Sequence, residues 1–448
     1  MVKDKQFYKT IFIVAVPAAF QGLISFAMVM FDNLMVGSLG EVVLSGVAVS
    51  GSLTALFTTA VTGITGGSMV LISQYWGKKD MEKIKYVFSI VFQFCVGLSI
   101  IVIVLIRLFP EGALRIVTND ASIIQGAIPY LTIVCFSYLL FSISNTMVAM
   151  LRCIEVVKIT LYITIISFVL DLFFSYCLIF GHLGFPPLGA QGAAIATVIS
   201  RSIELIFVAI YLFKVQKVID IKPVELIKTK LWMLKDFIRY GIPVTVGDVQ
   251  WGIISIIKAA VIGRLGIEMV AANSMADVVM NCGMIFTRSL AAGACVVIGK
   301  SVGEGDYKKT RKYSNNIQVM YLIAGLIICT VIFTTRGLIP SFYSNISQGT
   351  KDLAIQLISI GAFTLIGTSY HASCFIGINR GSGDSRFVFL VDMICGWLVV
   401  VPMSLLAAFV WKLPMPLIFL CTRCDQCFKW IIAFIRLRGN KWIRNVTR

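Results

Sequence analysis

The sequence predicts an all-α polytopic membrane protein, with twelve transmembrane helices in two pseudo-symmetric six-helix bundles. Three observations carry that prediction. The 448 residues are 58% hydrophobic with a mean hydropathy of +0.90, and only 14% are charged, about half of the roughly 25% usual in soluble domains. The apolar residues fall into runs of about 20 or more, the length a helix needs to cross a bilayer. The two halves of the chain repeat each other at a fixed spacing of 226 residues.

Taken in order, the apolar runs between charged or Gly/Pro breaks give spans at 12–36, 46–73, 86–106, 126–150, 160–180, 191–213, 237–262, 269–297, 314–335, 353–378, 387–410 and 417–435. The short basic start "MVKDKQFYKT" precedes an apolar run with no small-residue cleavage site after it, so the first span is expected to be retained. Of the 39 Lys and Arg residues, 27 lie in the N-terminus, the even-to-odd connections and the C-terminal tail. The other six loops hold 6, namely Arg107, Arg115, Arg264, Arg336, Lys351 and Lys412. That asymmetry puts both termini in the cytoplasm, in a plasma or inner membrane. It also gives the net charge of +17 a topological meaning, so no nucleic-acid partner is expected. The twelve cysteines are scattered through apolar runs and read as small core residues.

The repeat aligns without a gap. Pro17 falls on Pro243, Gly37 on Gly263, Leu39 on Leu265, Gly40 on Gly266, Gly67 on Gly293, Gly77 on Gly303, Asp80 on Asp306 and Lys83 on Lys309. Each unit holds an even number of spans, so the halves share one orientation and are related by an axis along the membrane normal. The division is an N-terminal bundle at 1–213, a cytoplasmic linker at 214–236, a C-terminal bundle at 237–435 and a basic cytoplasmic tail at 436–448. Two facing bundles suit a machine that opens alternately to either side.

Asp32, in "MFDNLMVGSLG", is the only charged residue between Lys9 and Glu41. An intramembrane carboxylate is costly, by roughly 2.5–3.5 kcal/mol on insertion scales, and marks a functional site by default. The charge pattern differs between the halves: the repeat puts Lys258 where the first half has Asp32. Asp248, Asp277 and Arg288 lie in the neighbouring spans. A Lys258–Asp277 or Lys258–Asp248 pair would let both groups stay charged, either as a gate or as a static ion pair. Local pairs are expected for Arg201 with Glu204 and for Asp425 with Lys429, at helical spacing. Pro17 and Pro243 each remove a backbone hydrogen bond and permit their helices to bend. Phe31, Trp251, Met275, Met280, Met284 and Phe286 are candidates to line an apolar cavity for flat lipophilic cations. "CTRCDQC" at 421–427 has a suggestive spacing, but it lies in a span and offers no fourth thiolate, so no metal is expected.

"MVGSLG" ending the first span, "VLISQYWGKKD" after the second, "LIFGHLGFPPLGAQGAAIATVISR" across spans five and six, "IGRLG" and "AANS" at spans seven and eight, and the closing "LRGNKW" resemble the multidrug and toxic compound extrusion family. The resemblance covers essentially the whole chain and is closer to the DinF-like branch. It implies an antiporter that expels organic cations in exchange for H⁺ or Na⁺, with no other cofactor, working as a monomer in the bilayer. It also implies a cation site in the N-terminal bundle at Asp32, Asn145, Asp171, Ser175 and Thr197, in which an arriving ion neutralises the charge that holds the drug. NorM-like members carry acids in spans seven and ten. This chain has Gln250, Trp251 and His371 there, so the resemblance carries no such second-half site over. The alternative cargo is a lipid-linked oligosaccharide. No Gly-x4-Gly-Lys-Ser/Thr phosphate-binding pattern is present, and no paired His/Asp constellation marks an enzyme.

Overall fold

The computed structural model describes residues 5–341, 346–439 and 441–447; Asn440 and Arg448 of the expected tail lie outside them. Each of the twelve expected spans is helical. The first three are Lys5–Gly37, Glu41–Lys78 and Met81–Leu108. Span four is a pair, Ala121–Val134 and Phe136–Cys153, bent by 46°. Spans five and six are Lys158–Phe180 and Ala190–Ile210, the latter extended by a π turn at Tyr211–Val215. Spans seven to nine are Ile242–Gly263, Ile267–Gly303 and Tyr307–Thr334. Span ten is Gln348–Ser373, continued by a π segment at Cys374–Arg380, and span eleven runs from Ser385 to Val410 with two π segments. Span twelve is broken into Met415–Cys421 and Asp425–Arg438. Among the described residues ten helices are long and apolar enough to cross a membrane, eleven with the bent pair. The twelfth falls short because its two pieces are only 7 and 14 residues long, and Arg423, Asp425 and Lys429 lie at or near the break.

The repeat is visible in local geometry. Asp80 caps span three by accepting from Lys83 N at 3.2 Å, and Asp306 caps span nine by accepting from Lys309 N at 2.9 Å. Gly40 (φ +118°) and Gly266 (φ +108°) make the same left-handed turn at the ends of spans one and seven, a conformation glycine adopts without strain.

By compactness the chain forms two units. One holds Met1–Ala19, Ser73–Lys78 and Val246–Arg448; the other holds Phe20–Ile72 and Lys79–Thr245. Spans one and seven are therefore each divided, after Ala19 and after Thr245, positions again 226 residues apart. In the first unit, a Cβ on Gly293 would lie 2.7 Å from the Ile11 carbonyl oxygen. In the second, a Cβ on Gly67 would lie 2.6 Å from the Gly241 carbonyl oxygen. Backbones this close are the way membrane helices gain packing energy when lipid is as apolar as their side chains. The first unit also contains a crossing of its own: Gly77 meets Lys300, and Gly303 meets Gln74, with no room for a Cβ at either.

The equivalent prolines sit differently. Pro17 lies inside the unbroken first helix. Pro243 is the second residue of span seven, just after the short helix Leu231–Tyr240 ends. There its missing N–H is one that no helix would have satisfied, so the expectation of a bend holds a helical interior in one half only.

The 214–236 segment packs along span three: Lys85 Nζ donates to the Asp220 carbonyl at 2.6 Å, and Ser89 Oγ to the Leu226 carbonyl at 2.8 Å. The tail folds into the first unit. Trp442 and Val446 are buried. Val446 N donates to Gln74 Oε1 at 2.9 Å, and Arg444 pairs with buried Asp384 at 3.2 Å.

Candidate functional site

The second unit holds the intramembrane acids of the first half. Spans five and six pack closely, and Asp171 and Ser175, one turn apart on span five, are both fully buried. Asp171 Oδ1 accepts from Ser200 Oγ of span six at 2.7 Å. Asp32 of span one sits beside Asp171 and Ser175. Oδ1 of Asp32, Oδ2 of Asp171 and the Ser175 hydroxyl are buried with no hydrogen-bond partner. Two carboxylates and a hydroxyl thus converge with acceptor capacity unused, and such groups are expensive to leave unsatisfied away from water.

The other two residues expected at this site make hydrogen bonds elsewhere. Asn145 donates to Thr65 Oγ1 of span two at 3.2 Å, and Thr197 donates to the Ala193 carbonyl of its own helix at 3.1 Å. Three further residues face the carboxylates instead. Ser200 is the hydrogen-bond donor just described. Tyr130 lies within electrostatic reach of both acids. Arg201 pairs with Glu204 at 2.6 Å as expected, stacks 5.3 Å above the Phe141 ring, and also acts on Asp171 and Asp32. Ser200 and Arg201 lie three and four residues after Thr197 in "ATVISR". That helical spacing was the available signal.

In the first unit the acids are already committed. Neither expected pair of Lys258 forms. Asp248 receives two bonds from Arg380, at 2.7 and 3.2 Å, and Asp277 receives Arg423 at 3.3 Å and Asn273 at 2.7 Å. Arginine reaches across from spans ten and twelve with a planar fork that matches a carboxylate better than an ammonium does. Lys258 has no ion pair among the described residues, although Asp425, Asp277 and Arg423 are its electrostatic neighbours. Asp425 pairs with Lys429 at 3.3 Å, one turn away, and Asp392 joins from span eleven at 2.8 Å. Lys429 is 1% exposed, and its ammonium lies 4.4 Å from the Trp251 ring centroid. Arg288 is exposed and makes no ion pair among the described residues. Gln250 is buried with both amide atoms unpartnered, and His371 Nδ1 bonds the Gly367 carbonyl oxygen at 2.8 Å.

The candidate cavity residues divide. Phe31 and Phe286 are nearly half exposed. Trp251 is engaged with Lys429. Met275 and Met280 are buried in a core cluster of spans eight, nine and ten, with Met284 packed against it. Ala272 and Ala276 belong to the same buried cluster.

Comparison with known proteins gives one consistent result. The MatE family model matches residues 17–177 and again 245–406, one copy in each half of the repeat. A curated relative, the "Probable multidrug resistance protein NorM" of Halalkalibacterium halodurans, is 26% identical over 405 residues, covering 89% of this chain and 87% of its own. Among solved structures, a MOP superfamily transporter from Pyrococcus furiosus, described as having a binding pocket of reversed polarity, superposes with a TM-score of 0.87 at 17% identity. It covers 96% of this chain and 95% of its own. An outward-facing multidrug resistance MATE family transporter superposes with a TM-score of 0.83 at 17% identity, with 96% and 95% covered. These likenesses establish the twelve-helix fold.

Proposed function

The chain belongs to the MatE family, and we propose from that premise that it is a multidrug efflux transporter exchanging lipophilic or cationic organic compounds for H⁺ or Na⁺. The multidrug names of its relatives favour this cargo over a lipid-linked oligosaccharide. One observation carries the assignment of the coupling site: the unpartnered buried oxygens of Asp32, Asp171 and Ser175. A proton on one carboxylate relieves the repulsion between the two and supplies a donor. A Na⁺ ion would find hard oxygen ligands of the type that suits it. Either ligand cancels the charge that attracts a cationic drug, so ion and drug compete, and competition at one site is what exchange requires. If the acids share a proton they titrate as a pair. Ser200 positions Asp171 through its hydroxyl, and Arg201 limits the negative charge the pair presents.

The working unit is one chain in a bacterial plasma membrane, with both termini cytoplasmic as the Lys/Arg bias requires. Alternating access arises from motion between the two repeat halves.

The test is efflux of ethidium from proteoliposomes under an imposed pH or Na⁺ gradient, comparing the native chain with Asp32→Asn and Asp171→Asn. Efflux should follow one gradient and be lost in both variants. Gradient-driven efflux that survives both substitutions would sink the assignment.

A further inference from the structure

We propose that the last helix, Asp425–Arg438, binds one anionic diacyl phospholipid, which straddles it with a chain on either side and its phosphate on Arg438 and Lys441. The helix is flanked by two grooves. One, of about 820 Å³, is lined mainly by apolar residues of spans nine, ten and twelve, Leu322, Phe363, Trp430 and Phe434 among them, with Tyr370 and Gln426 as its larger polar side chains. The other, of about 610 Å³, is lined by Phe387, Ile432 and Ile435 and closed by Arg436, Arg438 and Lys441. At about 100° per residue, Cys427, Trp430 and Phe434 share one face of the helix, and Ile432 and Ile435 share another roughly 130° away. Ile431 and Arg438 fall on the ridge between them.

Arg438 touches both grooves. It lines the second, and its guanidinium lies 4.4 Å from the ring centroid of Phe434 in the first. Arg438 and Lys441 are exposed, and among the described residues neither forms an ion pair. Arg436 is excluded from the count because it is bound to buried Asp384 at 2.7 Å. No carboxylate lines either groove. Trp430 Nε1 already donates to the Cys427 carbonyl at 2.8 Å and Tyr370 Oη to Gln318 Oε1 at 2.7 Å, so that groove is apolar except at Gln426, whose Oε1 is buried without a partner.

The order along the helix fixes the class of ligand. Exposed Trp430, Ile431 and Ile435 meet acyl chains, and one turn further on the surface becomes basic. This is the order of chains and phosphate in a phospholipid at the hydrocarbon boundary. Two basic residues beside an anionic headgroup make it a preferred occupant over a zwitterionic one. A free phosphate would satisfy the cations and leave both grooves without a partner.

The test uses the full chain in phosphatidylcholine nanodiscs, with brominated acyl chains quenching tryptophan on contact. Trp430→Phe, subtracted from the native signal, isolates the contribution of Trp430. Brominated phosphatidylglycerol should half-saturate this quenching at a mole fraction roughly tenfold lower than brominated phosphatidylcholine. In the doubly substituted Arg438→Gln, Lys441→Gln chain the two lipids should quench alike, with the thermal midpoint unchanged as a check on folding. Equal quenching by both lipids in the native chain, or an undiminished preference in the double variant, would overturn the proposal. So would displacement by glycerol 3-phosphate in solution, which would show a phosphate site without chain recognition.

Discussion

Each unit of the molecule sets two carboxylates close together within its spans, and the two pairs are resolved in opposite ways. Asp392 and Asp425 close on the ammonium of Lys429, at 2.8 and 3.3 Å. Asp32 and Asp171 have no such ammonium and keep unpartnered oxygens. Two more acids of the Lys429 unit follow its pattern, Asp248 on Arg380 and Asp277 on Arg423. A fixed ammonium cannot leave, so that pair has nothing to exchange. The repeat has thus copied the frame and not the charge. Its caps, left-handed turns and close glycine contacts recur at 226-residue spacing, whereas its acid at position 32 answers to a lysine at 258.

The largest expected effect breaks the satisfied pair. Lys429→Met leaves two buried carboxylates uncompensated and should cost about 3–5 kcal/mol, read from denaturation in detergent. Asp32→Asn removes a charge that has no fixed partner, so stability should change by no more than about 1 kcal/mol while gradient-driven efflux disappears. A chain that tolerates Lys429→Met and unfolds with Asp32→Asn would invert the comparison.

The frame should respond alike in its two copies. Gly77→Ala puts a Cβ 2.1 Å from the Lys300 carbonyl oxygen, and Gly303→Ala puts one 2.0 Å from that of Gln74. Each should cost about 1–3 kcal/mol, the usual penalty of overpacking, and thermal midpoints of the two variants should fall by similar amounts. A loss at one position with none at the other would mean that the crossing is not symmetric.

Most of the fold was legible because the bilayer restricts the choices. Apolar runs, the Lys/Arg bias and an ungapped repeat leave few arrangements, and all twelve spans are helical where the runs lie. Span twelve was legible from its apolar ends, but its break at Thr422–Cys424 was not. The charges that interrupt it are held by partners on spans eight and eleven, and no local pattern announces those. The coupling site was legible in part. Asp32, Asp171 and Ser175 converge, since an acid in a span has to find company. Asn145 and Thr197 came from a resemblance, and their side chains bond Thr65 and the Ala193 carbonyl. Ser200 and Arg201 were hidden by their ordinary roles, a serine in a helix and half of a local ion pair. The partners of Lys258 were misread because sequence gives proximity along the helix and says nothing of which arginine arrives from another span.

The smallest effect tests whether burial, and not pairing as such, makes the Lys429 cluster costly to break. Lys85 pairs with Glu225 at 3.2 Å outside the membrane, with the side chains 21% and 29% exposed, against 2% for Lys429. The chemistry is the same, and water competes for both partners. Lys85→Met should therefore cost no more than about 1 kcal/mol, less in high salt. Burial pushes the Glu225 carboxyl up, but the Lys222 N–H, at 2.9 Å, and the Lys85 ammonium outweigh it and hold the group below 4.5. A carboxyl whose folded value is depressed stabilises above its unfolded value and loses that contribution as pH falls through the folded one. Lys85→Met should accordingly speed hydrogen exchange in the 220–226 segment more near neutrality than at low pH, where only the bond from Lys85 to the Asp220 carbonyl is lost. A cost for Lys85→Met as large as that for Lys429→Met would show that pairing alone sets the energy, and the contrast between the two intramembrane carboxylate pairs would lose its basis.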